Sequence, residues 1–138
     1  MNPPEPRLCV YVVEDSTILL KRIVEMLESI ARVVVVGHSA SAVVAIEEIE
    51  TLRPDLLIVD IAIQSGTGFD VLRAVKRRLG NDAPISIVLT NHASVPYRNA
   101  AARLGASHFF DKSSEILQFV TAVHDLAVNR DKRNGSSG

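Results

Sequence analysis

Short runs of β-branched and aliphatic residues alternate along the chain with longer segments of helical period. Three of these runs are apolar at nearly every position: residues 8–13, 56–59 and 85–89. Strands without polar alternation are buried on both faces, which is typical of a parallel sheet covered by helices. Because parallel crossovers are right-handed, the sequence predicts an α/β fold with a doubly wound sheet of about five parallel strands.

Two further short runs, the β-branched residues 33–36 and residues 107–110, complete the predicted strands. Apolar residues recur at helical spacing between the runs and after the last one, which predicts five helices. The predicted helices contain residues 19–30, 41–52, 69–79, 95–104 and 116–127. Small polar residues precede three of them, and the predicted N-caps are Asp15 or Ser16, Ser94, and Ser113 or Ser114.

The composition fits one soluble domain of 138 residues, 47% hydrophobic and 22% charged, with a formal net charge of −1. This charge does not indicate a nucleic-acid or membrane partner, and no apolar run reaches the roughly 18–20 residues that span a bilayer. A single cysteine suits a reducing compartment, so the cytoplasm is expected. We expect one domain over residues 7–128 between disordered ends, residues 1–6 and 129–138, with a cloning remnant at the last positions.

Polar side chains stand where the predicted strands end. Glu14 and Asp15 follow the first strand, Asp60 follows the third, Thr90 ends the fourth and Lys112 follows the fifth. The strand order 2-1-3-4-5 is adopted from known doubly wound folds, in which ligands bind beyond the carboxyl ends of strands one and three. We therefore expect these residues to lie together at one edge of the sheet.

The chemistry of this set points to phosphoryl transfer. Neighbouring carboxylates repel one another unless a cation neutralises them, and oxygen ligands without His or Cys favour Mg²⁺, with Mn²⁺ as a substitute. A carboxylate at such a site can form an aspartyl phosphate. The hydroxyl of Thr90 and the ammonium of Lys112 can bind phosphoryl oxygens. Each residue alone has an ordinary explanation, but together they predict Asp60 as a phosphate acceptor.

These residues resemble the receiver domain of bacterial two-component response regulators, a CheY-like and flavodoxin-like fold. The resemblance covers residues 7–128 and is carried by segments 12–16, 57–60, 66–68, 88–90 and 105–113. It implies that Asp60 accepts a phosphoryl group in a Mg²⁺-dependent phosphorelay. The implied donor is a sensor histidine kinase or a phosphotransfer protein, and the signal leaves through protein–protein contacts.

The resemblance also implies roles for individual residues. The implied metal ligands are Glu14 through water, Asp15, Asp60 and the backbone carbonyl of Ala62. Thr90 would move towards the phosphoryl group, and Phe109 would swing inward in response. The surface near the fourth helix, the fifth strand and the fifth helix would carry the signal.

The chain departs from the family pattern at three positions near the site, Gln64, Asn91 and Ser113. Gln64 and Ser113 stand where the family often has proline, and a cis bond before Ser113 is not expected because a non-proline cis bond costs about 2.5–4 kcal/mol. Asn91 is larger than usual, which predicts slower entry of the phosphodonor. Ala62 offers no group to position water, and His92 is either a contact at the site edge or a loop histidine. The lifetime of the phosphate stays open.

Three other functions remain open. A flavin- or nucleotide-binding enzyme would need a phosphate loop after the first strand, where this chain has Glu14 and Asp15. A Mg²⁺-dependent phosphatase would use Asp15 as nucleophile and leave Asp60 without a role. A non-phosphorylated interaction domain would keep the site without the switch. For the receiver, we expect no enzymatic activity beyond its own phosphorylation and slow dephosphorylation.

The expected partners are proteins. No basic recognition helix is evident, so direct contact with nucleic acid is not expected. We expect a monomer or weak homodimer acting on an unknown downstream target, either as a stand-alone receiver or as one cut from a longer regulator.

Overall fold

Five parallel strands form one sheet in the order β2-β1-β3-β4-β5 in the computed structural model, which describes residues 6–136 and their side chains as far as Arg130. The strands are β1 Leu8–Val13, β2 Val33–Ser39, β3 Leu56–Val59, β4 Ile85–Thr90 and β5 His108–Asp111. The strand order 2-1-3-4-5 and the doubly wound α/β class are confirmed. β2 is three residues longer than predicted because its ladder with β1 continues to the pair Val13 and Ser39.

Helices cover both faces of the sheet. They are α1 Thr17–Glu28, α2 Ala42–Leu52, α3 Gly68–Leu79, α4 Val95–Arg103 and α5 Ile116–Ser136, with a 3-10 turn at Gly80–Asp82. Side chains of α1 and α5 pack in the core on one face, and those of α2, α3 and α4 pack on the other. Within the described part of the chain, no helix is long and apolar enough to cross a membrane.

Alternate residues of each central strand enter opposite cores. In β1, Val10 and Val12 pack with α1 and α5, whereas Tyr11 and Val13 pack with α2 and α3, and all four are buried. Each fully buried side chain of this size contributes roughly 1.5–3 kcal/mol. The two-sided burial explains why these strands lack polar alternation, and it leaves only the strand ends for polar chemistry.

Side-chain caps set the beginnings of the helices near the strand ends. Ser16, one of the two predicted caps of α1, accepts a hydrogen bond from the Leu19 N–H. Thr67 and Asp70 form a capping box at α3. Ser94 occupies the N-cap position of α4, as predicted, but makes no capping bond with its side chain.

The beginning and the end of α5 differ from the prediction. Ser113 does not cap the helix: its hydroxyl donates to the Asp111 carboxylate at 2.6 Å, and α5 begins only at Ile116. The helix then continues to Ser136, so the predicted disordered tail is corrected over residues 129–136. The Arg130 guanidinium bonds to the Asp55 carboxylate at 2.7 Å and joins α5 to the loop before β3. Residues 1–5 and 137–138 of the predicted ends lie outside the described residues.

Gly68 allows the loop after β3 to approach Asp60 closely. A Cβ atom at this position would overlap the Asp60 carbonyl oxygen and lie 2.9 Å from Ile61 Cα, and backbone atoms cannot move aside cheaply. We therefore expect Gly68→Ala to lower the free energy of unfolding by about 1–3 kcal/mol and to shift the amide signals of Asp60 and Ile61. Urea unfolding and NMR check this expectation.

Gly80→Ala is the matched control. A Cβ there meets nothing within 4 Å, although the backbone φ of +55° carries its own cost. The control should lose stability through that strained φ and leave the amide signal of Asp60 unchanged. An unchanged Asp60 signal in Gly68→Ala would contradict the close approach.

Candidate functional site

The ammonium of Lys112 joins the ends of three strands. Its Nζ donates to Glu14 Oε1 at 2.5 Å and to Asp60 Oδ2 at 2.6 Å. The side chains of Lys112, Glu14 and Asp60 are only 10%, 2% and 8% exposed. Little solvent therefore screens the attraction between these charges.

The charge of Lys112 is maintained by its partners. Burial alone would lower the pKa of this ammonium, but hydrogen bonds and charge attraction from Asp60 and Glu14 outweigh it, so the pKa lies above its ordinary value of 10.5. The stabilisation that follows is complete below pH 10.5 and is lost as the pH rises through the higher pKa of the folded state. Lys112 is therefore a cation throughout the neutral range.

The backbone fixes the two acidic partners of Lys112. The Glu14 N–H donates to the Ser39 carbonyl at 3.0 Å, and the Asp60 N–H donates to the Val13 carbonyl at 3.1 Å. These bonds extend the β-ladders by one residue beyond β1 and β3. The second carboxylate oxygen of Glu14, Oε2, accepts a hydrogen bond from the Ser16 N–H at 3.1 Å. Both carboxylates are thus positioned by the sheet itself.

Asp15 completes an acidic cluster on the open side of the site. One carboxylate oxygen from each of Glu14, Asp15 and Asp60 lies within 4.8 Å of the others, and Asp15 is exposed to solvent. Three carboxylates face the single ammonium of Lys112, so two formal negative charges are left. A donor set of oxygens alone with this charge fits a hard divalent cation. Three of the four predicted metal ligands, Glu14, Asp15 and Asp60, therefore form a group that can bind one.

Thr90 lies fully buried at the end of β4, beside the Lys112 strand. Its hydroxyl accepts from the His92 N–H at 3.2 Å, and its carbonyl accepts from the Lys112 N–H at 3.0 Å. Among the described residues, the Thr90 hydroxyl makes no hydrogen bond to Asp60. The sheet thus places Thr90 at the predicted edge, with its hydroxyl bonded to the His92 N–H and not to Asp60.

The loop after Asp60 is tied to α2. The Gln64 N–H donates to the Ala40 carbonyl at 2.9 Å, and the Ala42 N–H donates to the Gln64 carbonyl at 2.8 Å. Ala62 is exposed near the start of this loop, and its N–H lies 3.4 Å from Asp60 Oδ1. The side chains next to the acceptor therefore sit on a fixed loop although the family's proline is absent.

The other residues singled out in the sequence lie around this site. Asn91 and His92 are exposed, and the centroid of the His92 ring lies 6.4 Å from that of the Tyr97 ring. The described residues contain no cis peptide bond, so the bond before Ser113 is trans, as expected. Phe109 is half-buried on β5 and packs with the core on the α2–α4 face.

Arg98 was missed by the sequence interpretation. Its guanidinium lies over the Phe109 ring, 4.8 Å from the centroid, and bonds to the Glu115 carboxylate at 2.7 Å. Arg98 lies on α4 and Glu115 lies 17 residues further along, just before α5, so no local pattern pairs them. Only the packing of α4 against β5 brings them together.

Comparison with known proteins agrees with the fold. The family model for the response regulator receiver domain matches residues 10–124. A protein-glutamate methylesterase/protein-glutamine glutaminase of Idiomarina loihiensis is 31% identical, over 89% of this chain and 29% of that protein. The DNA-binding transcriptional activator DevR/DosR of Mycobacterium tuberculosis is 25% identical, over 88% of this chain and 55% of its own length. This chain thus spans a minor part of the first relative and about half of the second.

The fold is also that of solved structures. A two-component response regulator of the LuxR family from Aurantimonas sp. SI85-9A1 superimposes with a TM-score of 0.81, at 22% identity, over 89% of this chain and 86% of that one. At this identity the likeness concerns the fold.

Removing the Lys112 ammonium should destabilise the protein through its two buried partners. Breaking a buried ion pair from one side costs about 3–5 kcal/mol, and we expect Lys112→Met to lose this much at pH 7 by urea unfolding. The difference from wild type should narrow as the pH rises through the raised pKa of Lys112, because wild type then loses the same charge.

Lys76→Met on the exposed face of α3 is the control, and it should change stability by less than about 0.5 kcal/mol. Equal losses in the two variants, or a difference from wild type that widens as the pH rises through the raised pKa of Lys112, would contradict the role given to Lys112.

Proposed function

Because the chain belongs to the response regulator receiver domain family, we propose that it is a signalling receiver that is switched by phosphorylation of Asp60. The observation that carries this proposal is the Asp60 carboxylate itself. It is buried, bonded to Lys112 at 2.6 Å and grouped with Glu14 and Asp15 at the carboxyl edge of the sheet. The proposed receiver unit covers residues 7–128 and acts in the cytoplasm.

The proposed reaction is a transfer from phosphohistidine. An Asp60 oxygen forms a bond to phosphorus while the P–N bond of the donor breaks, and the electron pair leaves with the imidazole nitrogen, which takes up a proton. A sensor histidine kinase or a phosphotransfer protein is the proposed donor. The chain's own chemistry is limited to accepting this group and slowly losing it to water.

The residues around Asp60 have complementary tasks. Mg²⁺, or Mn²⁺ as a substitute, would neutralise negative charge between the phosphoryl group and its ligands: Glu14 through water, Asp15, Asp60 and the Ala62 carbonyl. Lys112 would hold a phosphoryl oxygen with an N–H that now serves Asp60. Thr90 would turn its hydroxyl from the His92 N–H towards the phosphoryl group, and Phe109 would follow inward.

The geometry favours Asp60 over Asp15 as the reacting carboxylate. Lys112 bonds to Asp60 and Glu14, whereas Asp15 is exposed and the ammonium makes no bond to it. A phosphatase that used Asp15 would lack this positioned cation. The acidic turn after β1 likewise disfavours a flavin or nucleotide phosphate at that loop.

The output is proposed to pass through contacts with an unknown downstream protein, and not through direct contact with nucleic acid or membrane. The relatives named above differ in activity, one a methylesterase/glutaminase and the other a DNA-binding activator. The matching region covers 29% and 55% of those proteins, so their activities are not assigned to this chain. The receiver is proposed to act as a monomer or weak homodimer.

Phosphate analogues test the acceptor directly. With Mg²⁺, we expect beryllofluoride or acetyl phosphate to shift the NMR amide signals of Asp60, Thr90 and Phe109, because each occupies a position that the phosphoryl group would affect. Asp60→Asn should abolish the response, since the amide lacks the charge of the acceptor, and chelating the divalent cation should do the same.

Asp82→Asn is the control, since Asp82 is an exposed aspartate paired only loosely with Arg53 at 3.7 Å. This variant should respond like wild type. A silent wild type, or a full response in Asp60→Asn, would rule out Asp60 as the acceptor.

A further inference from the structure

Arg98 on α4 makes two contacts with Phe109 and one with Glu115. One guanidinium nitrogen donates to the Phe109 carbonyl at 3.1 Å, and another donates to Glu115 Oε1 at 2.7 Å. The guanidinium carbon lies 4.8 Å from the centroid of the Phe109 ring. A planar cation that stacks on a ring and bonds at its edges fixes both the ring and the strand that carries it.

Glu115 continues this set of contacts to the phosphorylation site. Its Oε1 also accepts from the Asp111 N–H at 3.0 Å. Asp111 precedes Lys112, whose N–H donates to the Thr90 carbonyl and whose ammonium bonds to Asp60. A continuous path of hydrogen bonds and one short stretch of backbone therefore joins the proposed acceptor to the Arg98 guanidinium.

The ionised state of the Arg98–Glu115 pair follows from its surroundings. The hydrogen bond from Arg98 and the N–H of Asp111 lower the pKa of the Glu115 carboxyl. The pair is therefore charged at neutral pH, and it weakens only as the pH falls through this lowered pKa. The Arg98 and Glu115 side chains are 36% and 30% exposed, so the contact stands at the rim of the domain and can open without disturbing the core.

We propose that Arg98 is a positioning residue that holds Phe109 in its present orientation until Asp60 is phosphorylated. The inference rests on the proposed function. To turn inward, the Phe109 ring must leave the guanidinium, so the contact opposes the turn. A phosphoryl group on Asp60 would draw Lys112 towards it and shift the turn that carries Asp111 and Glu115, which would loosen the hold of Arg98.

A purely structural ion pair would behave differently. A partly exposed pair at the rim of the domain contributes little to global stability, so unfolding measurements alone do not separate the two roles. The orientation of the Phe109 ring does separate them, because only a positioning residue changes it in the absence of phosphate. The chain has four phenylalanines, so fluorophenylalanine labelling gives four ¹⁹F signals, and a Phe109→Leu variant assigns the relevant one.

Without any phosphate analogue, Arg98→Ala should move the ¹⁹F signal of Phe109 towards the position that it takes with beryllofluoride and Mg²⁺ in wild type. We expect the ratio of the two ring orientations to change by at least about fivefold. The initial rate of phosphorylation by acetyl phosphate should rise by a similar factor. Arg98→Lys keeps the charge but loses the planar stacking, and it should give an intermediate shift.

Arg103→Ala, at the exposed end of the same helix, is the matched control and should leave both readouts at wild-type values. If Arg98→Ala leaves the Phe109 signal and the rate unchanged while wild type responds to beryllofluoride, Arg98 does not position the ring. A wild type that shows no response at Asp60 would instead contradict the proposed function, whatever the ring does in the variant.

Discussion

The double hydrogen bond of the Lys112 ammonium, to Glu14 and to Asp60, is the interaction on which the rest of the site depends. It joins residues that lie 98 and 52 positions from the lysine in the sequence, and the three side chains are almost fully buried. Without the cation, two carboxylates fixed by neighbouring strands would face each other with little solvent to screen them. The strand ends can therefore lie together at this edge only because Lys112, directly after β5, places a positive charge beside the ends of β1 and β3.

The charges at this site do not cancel. Three carboxylates and one ammonium leave a negative site open on the side of Asp15. The apolar layers above and below the sheet supply the stability that the cluster lacks, since residues such as Val10, Val12 and Val59 are completely buried. A fold with two full cores can thus maintain a charged edge whose three carboxylates could hold a cation.

The sequence was sufficient to predict the features that depend on local residue patterns or on the order of the strands. Because the central strands are buried on both faces, they could be predicted from their apolar runs. The parallel arrangement of the strands then placed Glu14, Asp60 and Lys112 at one edge of the sheet. Contacts that depend on helix packing could not be predicted. Arg98 contacts Glu115 and Phe109 only because α4 packs against β5. Ser113, a predicted cap of α5, bonds to the nearer carboxylate of Asp111 instead.

The turn between β5 and α5 connects the two proposals. Lys112, which bonds to the proposed acceptor, and Glu115, which bonds to Arg98, lie three residues apart on this turn. A shift of the lysine can therefore reach the surface of α4 without deforming the sheet, whose central side chains are closely packed and resist movement. The rim contacts of Arg98 are much less buried and can break separately. If phosphorylation is communicated in this protein, the face formed by α4, β5 and the start of α5 is where the smallest rearrangement produces an exposed change.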